Sequence, residues 1–238
     1  EFLSTGFNLK NHLTEYLKLN EGKLDSLLSL GVDNMAELHP VTLDKEKISN
    51  FYEVEVGTAH LLELSAWHLR SANYIADTLK LQKMYAHGNV LDFGGGIGTH
   101  SIAAAALEDV NHVFFVDLNP HNREFVKQRA LSLGLEDNIS VYRDVDSIDQ
   151  KFFDTIICLD VLEHIPDPSS QLICFMNKMT DSSVALMNWY FFKGYKLEYP
   201  FHFDDKELIE RFFRTLQSNF IEIFHPLLIT TRAYKLFN

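Results

Sequence analysis

Basic side chains, cysteines and long apolar runs are all scarce in this 238-residue sequence. It carries 33 acidic against 21 basic side chains, which gives a net charge of -12. General binding to nucleic acid or to an anionic membrane needs clustered cations, and the sequence has no run of Lys or Arg. It also lacks an apolar stretch of about 18 residues, the length at which a segment becomes a candidate for spanning a bilayer. We therefore predict neither a nucleic-acid partner nor a membrane partner.

Cysteine is represented only by Cys158 and Cys174, whose separation fits neither a metal site nor a redox pair. Two separate thiols are typical of a reducing compartment, and no secretory signal is recognisable, so we expect a cytoplasmic protein. Hydrophobic residues make up 46% of the chain and include 19 Phe, enough for a sizeable core. Residue 1 is Glu instead of Met, which leaves open that the chain is part of a longer polypeptide.

Residues 1–87 have the spacing of amphipathic helices and no alternating strand pattern. Gly31 and His39-Pro40 are interpreted as turns, and one long helix is predicted from about Thr58 to Lys80. Besides its apolar stripe, this helix has a second stripe at the same spacing. We expect that stripe to pack against neighbouring helices, and lining a substrate site is the alternative. Its members are His60, Glu63, Trp67, Arg70 and Tyr74.

From Asn89 onwards, short apolar runs alternate with helical segments. This alternation predicts right-handed crossovers and a parallel sheet, and two further strands near the C-terminus are expected to add antiparallel at its edge. The predicted fold class is α/β, a Rossmann-like, seven-stranded, mostly parallel sheet with flanking helices and an N-terminal helical cap. The predicted strands are Val90–Phe93, His112–Asp117, Ile139–Arg143, Phe153–Leu159, Val184–Trp189, Phe220–Phe224 and Leu228–Leu236.

A glycine-rich turn follows the first predicted strand. Its glycines permit positive φ and let a ligand approach the backbone where a Cβ would collide. A helix that starts directly afterwards directs free N–H groups towards the same place. The turn therefore predicts a nucleotide-type pocket at the first strand-to-helix connection. Its glycines are Gly94, Gly95, Gly96 and Gly98.

Acidic residues follow the next strands, at the edge where open α/β sheets bind ligands. Asp117 ends the second strand and can accept hydrogen bonds from both ribose hydroxyls. Asp144 follows the third strand, where it can meet the exocyclic amine of adenine, with Val145 as an apolar lid. A segment with several carboxylates, Asp160–Pro168, follows the fourth strand. A helix cap at Asp117 and a turn role for Asp144 are the structural alternatives.

Together these features resemble the class I S-adenosylmethionine-dependent methyltransferases of the small-molecule type. That group contains the ubiquinone-biosynthesis O-methyltransferases. The resemblance is carried by Val90–Gly98, Phe115–Pro120 and Phe153–Pro168, and it covers about residues 75–238. We predict two parts, a methyltransferase domain over residues 88–238 and, outside most of the resemblance, a helical segment over residues 1–87 that covers the substrate.

The resemblance also implies roles for individual residues. Asp92 and the four glycines would surround the methionine part of S-adenosylmethionine, Asp117 its ribose and Asp144 its adenine. For Asp92, a purely structural role towards the glycine turn is the alternative. Further cofactor contacts are expected at Leu118, Val145 and Leu159.

A dinucleotide-dependent dehydrogenase is the competing interpretation, because Asp117 would equally suit the ribose of NAD. The glycine spacing is against it. The dinucleotide fingerprint places its third glycine one residue after Gly98, where this sequence has Thr99.

The expected chemistry needs a group that takes a proton from the acceptor. His164 is the candidate base with Glu163 as its partner, and His202 is a second candidate base. The alternative for His164 is that it satisfies a backbone group. We predict no metal. If one were bound, the set Asp160, Glu163 and His164 would suit Mg²⁺.

Aromatic segments that follow the fifth strand, Trp189–Phe192 and Tyr195–Pro200, are expected to roof the acceptor site. We therefore predict methyl transfer from S-adenosylmethionine to oxygen of a small metabolite or natural product. N-methylation of a small amine or peptide is one alternative. A non-catalytic, cofactor-binding interaction domain of a larger polypeptide is another. The sequence predicts no oligomeric state.

Overall fold

The computed structural model describes residues 2–38, 47–196, 199–227 and 229–237, and a seven-stranded sheet is its central element. The strands are β1 (Gly88–Phe93), β2 (Val110–Val116), β3 (Ile139–Tyr142), β4 (Phe153–Cys158), β5 (Met179–Met187), β6 (Phe220–Phe224) and β7 (Arg232–Leu236). Their order across the sheet is β3-β2-β1-β4-β5-β7-β6. Strands β1 to β5 are parallel, and β7 pairs antiparallel with both β5 and β6. The predicted α/β fold is confirmed.

Helices cover the sheet and form the N-terminal part of the chain. They are α1 (Phe2–Thr5), α2 (Leu9–Leu17), α3 (Glu21–Glu37), α4 (Ile48–Asn50), α5 (Gly57–Arg70), α6 (Ala72–Tyr85), α7 (Thr99–Ala105), α8 (Pro120–Ser132), α9 (Pro168–Asn177) and α10 (Lys206–Asn219). A π-helical turn spans Phe51–Glu55, and two 3-10 turns span Val145–Ser147 and Leu162–His164.

The central strands are buried on both faces, as parallel strands covered by helices must be. Val90 and Leu91, neighbours on opposite faces of β1, are both fully buried, and so are Ile156 and Ile157 on β4. Because β1, β2 and β4 run in the same direction, their carboxyl ends meet at one edge of the sheet. The functional residues predicted from the sequence follow these strands.

The single long helix predicted from Thr58 to Lys80 is wrong. The structure breaks it at Ser71, whose φ of -101° and ψ of 27° are not helical. On one side of the break, α5 packs against α3 and α8, whereas on the other α6 packs against α1 and α7. The break lets each half bury its own face against different neighbours.

The turn predicted at Gly31 is also wrong, because Gly31 lies inside α3. A Cβ at this position would lie 3.0 Å from the carbonyl oxygen of Leu62 on α5. The glycine therefore permits a close approach of two helices. The predicted turn at His39-Pro40 lies outside the described residues.

A buried arginine attaches the first helices to the glycine turn. Arg129, on α8, is fully buried. Its Nη1 donates to the carbonyl oxygen of Ile97 at 2.7 Å, and its Nη2 donates to those of Gly6 and Phe7 at 3.0 and 3.2 Å. Ile97 belongs to the glycine turn, and it also packs in an apolar cluster with leucines of α2, α3 and α5.

We expect Arg129→Met to lower the free energy of unfolding by about 2 to 4 kcal/mol, because buried carbonyl oxygens would lose their donor. Urea denaturation measures the change. The matched control is Lys127→Met on the same helix, whose side chain is exposed and pairs loosely with Glu124 at 3.6 Å. Equal stability of the two variants would show that Arg129 does not hold the N-terminal helices.

Candidate functional site

The glycine turn is held close against the end of β2. The N–H groups of Gly94 and Gly95 both donate to the carbonyl oxygen of Val116, at 2.8 and 3.1 Å. A Cβ at Gly94 would lie 2.5 Å from the side chain of Val161, and one at Gly95 would lie 2.5 Å from the ring of Phe115. The turn also needs left-handed backbone, with φ of 71° at Gly94. Positive φ recurs at Gly96 and Gly98.

Two buried carboxylates brace this turn. Asp92 accepts a hydrogen bond from the hydroxyl of Ser101 at 2.6 Å, and burial raises its pKa to about 7. Asp117 accepts the N–H of Gly96 at 2.9 Å through Oδ2 and that of Asn119 at 2.8 Å through Oδ1. Burial raises the pKa of Asp117 to about 6. Asp117 thus contacts the glycine turn, whereas the predicted alternative of a helix cap is wrong for it, because Asn119 caps α8. The hydrogen bond of Asp92 is to Ser101 of α7. Binding of the cofactor by either side chain stays a prediction.

The residues after Asp117 connect the sheet to the N-terminal helices. Leu118 is half-buried, and its carbonyl oxygen accepts a hydrogen bond from Arg123 at 2.6 Å. Asn119 caps α8 and donates through Nδ2 to the carbonyl oxygen of Gly57 at 2.9 Å. The start of α5 therefore lies beside the end of β2.

The predicted adenine partner also has a local structural contact. Asp144 caps a 3-10 turn by accepting the N–H and O–H of Ser147, and it pairs with Arg143 at 3.0 Å. Arg143 in turn makes a two-pronged ion pair with Glu53 of the π-helical turn, at 2.6 and 2.8 Å. Val145 is buried in the core on one side of the sheet.

At the end of β4 the backbone bends sharply. Leu159 is half-buried, and Asp160 has a φ of 55°, which is unusual for a residue with a side chain. Asn188, just after β5, accepts the N–H of Asp160 at 2.5 Å and donates to its carboxylate at 2.9 Å. Asn188 also donates to the hydroxyl of Tyr74 at 3.1 Å. Sequence reasoning missed Asn188, since a lone amide after a strand carries no signal of its own.

Glu163, His164 and His202 converge beside this bend, with one possible ligand atom of each lying within 4.8 Å of the others. The ring centroids of His164 and His202 are 4.7 Å apart. The set considered from the sequence was Asp160, Glu163 and His164. Among the described residues, the acidic and histidine side chains that converge are Glu163, His164 and His202, so His202 takes the place of Asp160. Among the described residues, no hydrogen bond joins Glu163 to His164, the partnership that was predicted.

Each of the two histidines is oriented by a backbone carbonyl. Nδ1 of His164 lies 3.2 Å from the carbonyl oxygen of Phe201 and 3.2 Å from the hydroxyl of Tyr52. Nδ1 of His202 lies 3.1 Å from the carbonyl oxygen of Phe192. His164 therefore makes the backbone contact that the sequence predicted as the alternative to a role as base.

Burial sets the charge of the group. It lowers the pKa of His164 to about 3, with a further contribution from nearby His202, and it also lowers the pKa of His202. Burial, and then the charge of Asp160, raise the pKa of Glu163 above its ordinary value. Both imidazoles are therefore neutral near pH 7 and keep a lone pair.

The second stripe of the predicted long helix reaches this site at several points. Tyr74 contacts Asn188, and His60 hydrogen-bonds Asn122 of α8 at 3.3 Å and packs against Tyr52. Farther from the site, Arg70 donates to a backbone carbonyl of α3. The stripe thus combines helix packing with contacts at the edge of the sheet.

The aromatic segment after β5 divides into buried and exposed parts. Trp189 packs against Phe212 with ring centroids 5.0 Å apart, so it belongs to the core. Several of its neighbours are exposed, and Leu197 and Glu198 of the predicted roof lie outside the described residues. The exposed members are Tyr190, Phe192, Tyr195 and Tyr199.

Comparison with known proteins agrees with this architecture. Residues 66–191 match the methyltransferase-domain family. Over 138 residues the chain is 29% identical to the ubiquinone biosynthesis O-methyltransferase of Xanthomonas euvesicatoria, a match that covers 52% of this chain and 55% of that protein. The chain thus spans about half the length of this curated relative.

Two solved structures share the fold. A protein of Clostridium thermocellum, provisionally assigned as an rRNA methylase, has a TM-score of 0.53 at 16% identity, covering 69% of this chain and 96% of its own. A protein of Pyrococcus horikoshii has a TM-score of 0.54 at 17% identity, covering 70% of this chain and 91% of its own. Identities this low show the fold alone.

The family match spans more than half of the chain, so the protein belongs to the methyltransferase-domain family. Its sheet and its strand-end motifs are those of a class I S-adenosylmethionine-dependent methyltransferase. None of the helices within the described ranges has the length and apolar character needed to cross a bilayer.

We expect Gly94→Ala to lower the free energy of unfolding by about 2 to 4 kcal/mol, through left-handed strain and the clash with Val161. It should also weaken binding of S-adenosylhomocysteine by more than about tenfold, if the turn contacts the cofactor. The matched control is Gly134→Ala, which has a φ of 68° and no atom within 4 Å of the added Cβ. If calorimetry found the same affinity for S-adenosylhomocysteine in both variants, the glycine turn would not be part of the cofactor site.

We also expect Asp92 to make a contribution that lowers the stability of the cofactor-free protein as the pH rises from about 4 to about 7. Burial raises the folded-state pKa of Asp92 from 3.8 to about 7. In this range the folded state therefore holds a proton that the unfolded state has released, and the free energy of unfolding falls. Asp92→Asn should remove this negative contribution and shift the pH slope of the unfolding free energy in urea titrations towards positive values, whereas Asp181→Asn, at an exposed position of β5, should not. Equal slopes for wild type and Asp92→Asn would contradict this.

Proposed function

We propose that this protein transfers the methyl group of S-adenosylmethionine to an oxygen of a small acceptor molecule. The observation that carries the proposal is the group formed by Glu163, His164 and His202 at the end of β4. This group lies beside the glycine turn, because Val161, two residues before Glu163, fills the space next to Gly94.

The glycine turn fits the cofactor. A side chain is excluded at Gly94 by its positive φ and by Val161, and at Gly95 by the ring of Phe115, so the methionine part would meet bare backbone beside Asp92. Asp117 accepts three hydrogen bonds from the protein, and a carboxylate has about four acceptor sites, so one remains for a ribose hydroxyl.

The adenine would lie near Asp144, with Leu118, Val145 and Leu159 as apolar surroundings. When bound, the cofactor supplies a methyl group on a sulfonium that is already activated. The protein's own task is then to align the acceptor, exclude water and remove a proton.

An oxygen acceptor suits the paired imidazoles. In the balanced reaction the acceptor hydroxyl loses its proton, an O–CH3 bond forms as the S–CH3 bond breaks, and S-adenosylhomocysteine leaves. The lone pair of His164 or His202 can serve deprotonation either by taking the proton or by binding an ion that acidifies the hydroxyl. Glu163 lies within reach of both imidazoles, and burial raises the pKa of its carboxyl group, which favours the protonated form.

A small acceptor is supported by the net charge of -12 and by the exposed aromatic side chains after β5. The name of the Xanthomonas euvesicatoria relative points in the same direction. RNA is the competing acceptor, because one structural neighbour is assigned as an rRNA methylase, but that likeness concerns the fold. We propose that residues 1–87 cover the acceptor.

A transfer assay with methyl-labelled cofactor tests the proposal against a panel of hydroxylated metabolites, small amines and total RNA. Label should enter the hydroxylated compounds. We expect His164→Asn to lower kcat by about 100-fold or more, the usual contribution of a proton-transfer group. Its affinity for S-adenosylhomocysteine should be unchanged.

The control is His225→Asn, a partly exposed histidine 3.9 Å from Glu222 and outside the site, which should keep full activity. If label were found only in amines or only in RNA, the proposed oxygen acceptor would be wrong and that class of compound would be the acceptor. Cofactor binding with no transfer to any compound of the panel would favour a non-catalytic domain.

A further inference from the structure

We propose that Glu163, His164 and His202 together bind one divalent transition-metal ion. Two imidazole nitrogens and one carboxylate oxygen form a donor set that suits Zn²⁺, Fe²⁺ or Co²⁺ better than Mg²⁺, which prefers oxygen ligands. Three protein ligands also leave positions open for a further molecule, as in catalytic metal sites.

Both histidines are oriented as metal ligands usually are. A carbonyl oxygen can only accept, so the contacts of both Nδ1 atoms with the carbonyls of Phe201 and Phe192 place a proton on each Nδ1. Nε2 of each ring then carries the lone pair. An N–H donated to a backbone carbonyl by the nitrogen that does not bind the metal is the common outer contact of metal-binding histidines.

The carboxylate supplies the independent observation. Glu163 is only 1% exposed, and its Oε2 is buried without a hydrogen-bond partner among the described residues. Buried polar atoms nearly always have a partner. One carboxylate oxygen of Glu163 lies within 4.8 Å of a ring nitrogen of each histidine, so an ion between the three residues would give this buried carboxylate a partner.

The backbone fixes the three ligands relative to each other. Phe203 donates its N–H to the carbonyl oxygen of Glu163 at 2.8 Å, and the carbonyl of Phe201 holds the ring of His164. His202 lies between these two residues, so it is attached to the end of β4 on both sides. Ligands on one tetrahedral ion are roughly 3.4 Å apart, which small side-chain rotations would achieve.

Asp160 is excluded from this site by its own contacts. Asn188 binds both its backbone N–H and its carboxylate, and its side chain does not join the converging group. The ligand set therefore differs from the set Asp160, Glu163 and His164 considered from the sequence. Because His202 replaces Asp160 in this set, the expected metal is a transition-metal ion and not Mg²⁺.

Ion binding itself stands on this geometry, whereas the role of the ion rests on the proposed function. An acceptor hydroxyl bound at an open position would release its proton to solvent at a lower pH, because the ion stabilises the oxyanion. Its oxygen would be fixed beside the glycine turn.

Titration of the chelator-treated full chain with Co²⁺, followed by visible absorption, tests the ligand set without cofactor or acceptor. We expect one equivalent to bind, excess Zn²⁺ to displace it, and Mg²⁺ at the same concentration not to. Glu163→Gln and His202→Asn should each weaken binding by about 100-fold or more, since loss of even an outer contact costs about 10- to 100-fold. Asp160→Asn should stay within about threefold of wild type, and His225→Asn should be unchanged.

Unaltered Co²⁺ affinity in Glu163→Gln and His202→Asn would overturn the inference, as would loss of binding in Asp160→Asn. Thermal melting confirms that each variant is folded, and His202, on a half-buried loop, is the position least able to disturb the core. If methyl transfer persists in the presence of chelator and no Co²⁺ binds, the proposed metal site is wrong and an imidazole acts as the base. Specific Co²⁺ binding with no transfer to any acceptor would instead count against the proposed function.

Discussion

The functional edge of the sheet depends on two hydrogen bonds that share one acceptor. The N–H groups of Gly94 and Gly95 both donate to the carbonyl oxygen of Val116, which draws the turn after β1 onto the end of β2. Nothing larger than glycine fits at either position, and Val161 occupies the remaining space beside Gly94. The end of β4, which carries Glu163 and His164, is thereby held against the turn.

The fold could be predicted from the sequence because its signals are local. Val90 and Leu91 form part of an apolar run that suits a strand buried on both faces, and the glycines after it stand where left-handed backbone is required. The break at Ser71 and the position of Gly31 inside α3 could not be predicted. Both depend on which helix lies alongside, and a periodic pattern does not contain that information.

The candidate site was predicted only in part, for a related reason. The position of Asp117 suits a ribose contact and a brace for the glycine turn equally well, and the sequence has no feature that separates them. His202 meets His164 only because the chain after β5 folds back on the end of β4. Tyr52 reaches the same imidazole from a segment with no recognisable pattern. Contacts between distant parts of the chain complete the site.

Arg129 has a consequence for how such proteins diversify. One guanidinium joins the first helices to the carbonyl oxygen of Ile97 in the glycine turn, so a buried charge links the N-terminal helices to the sheet. Grafting a different N-terminal segment onto this sheet would remove the acceptors at Gly6 and Phe7 and leave Nη2 of a buried guanidinium without them. Substitutions that keep the carbonyls of Gly6 and Phe7 in place are therefore expected to be tolerated better than exchange of the whole segment.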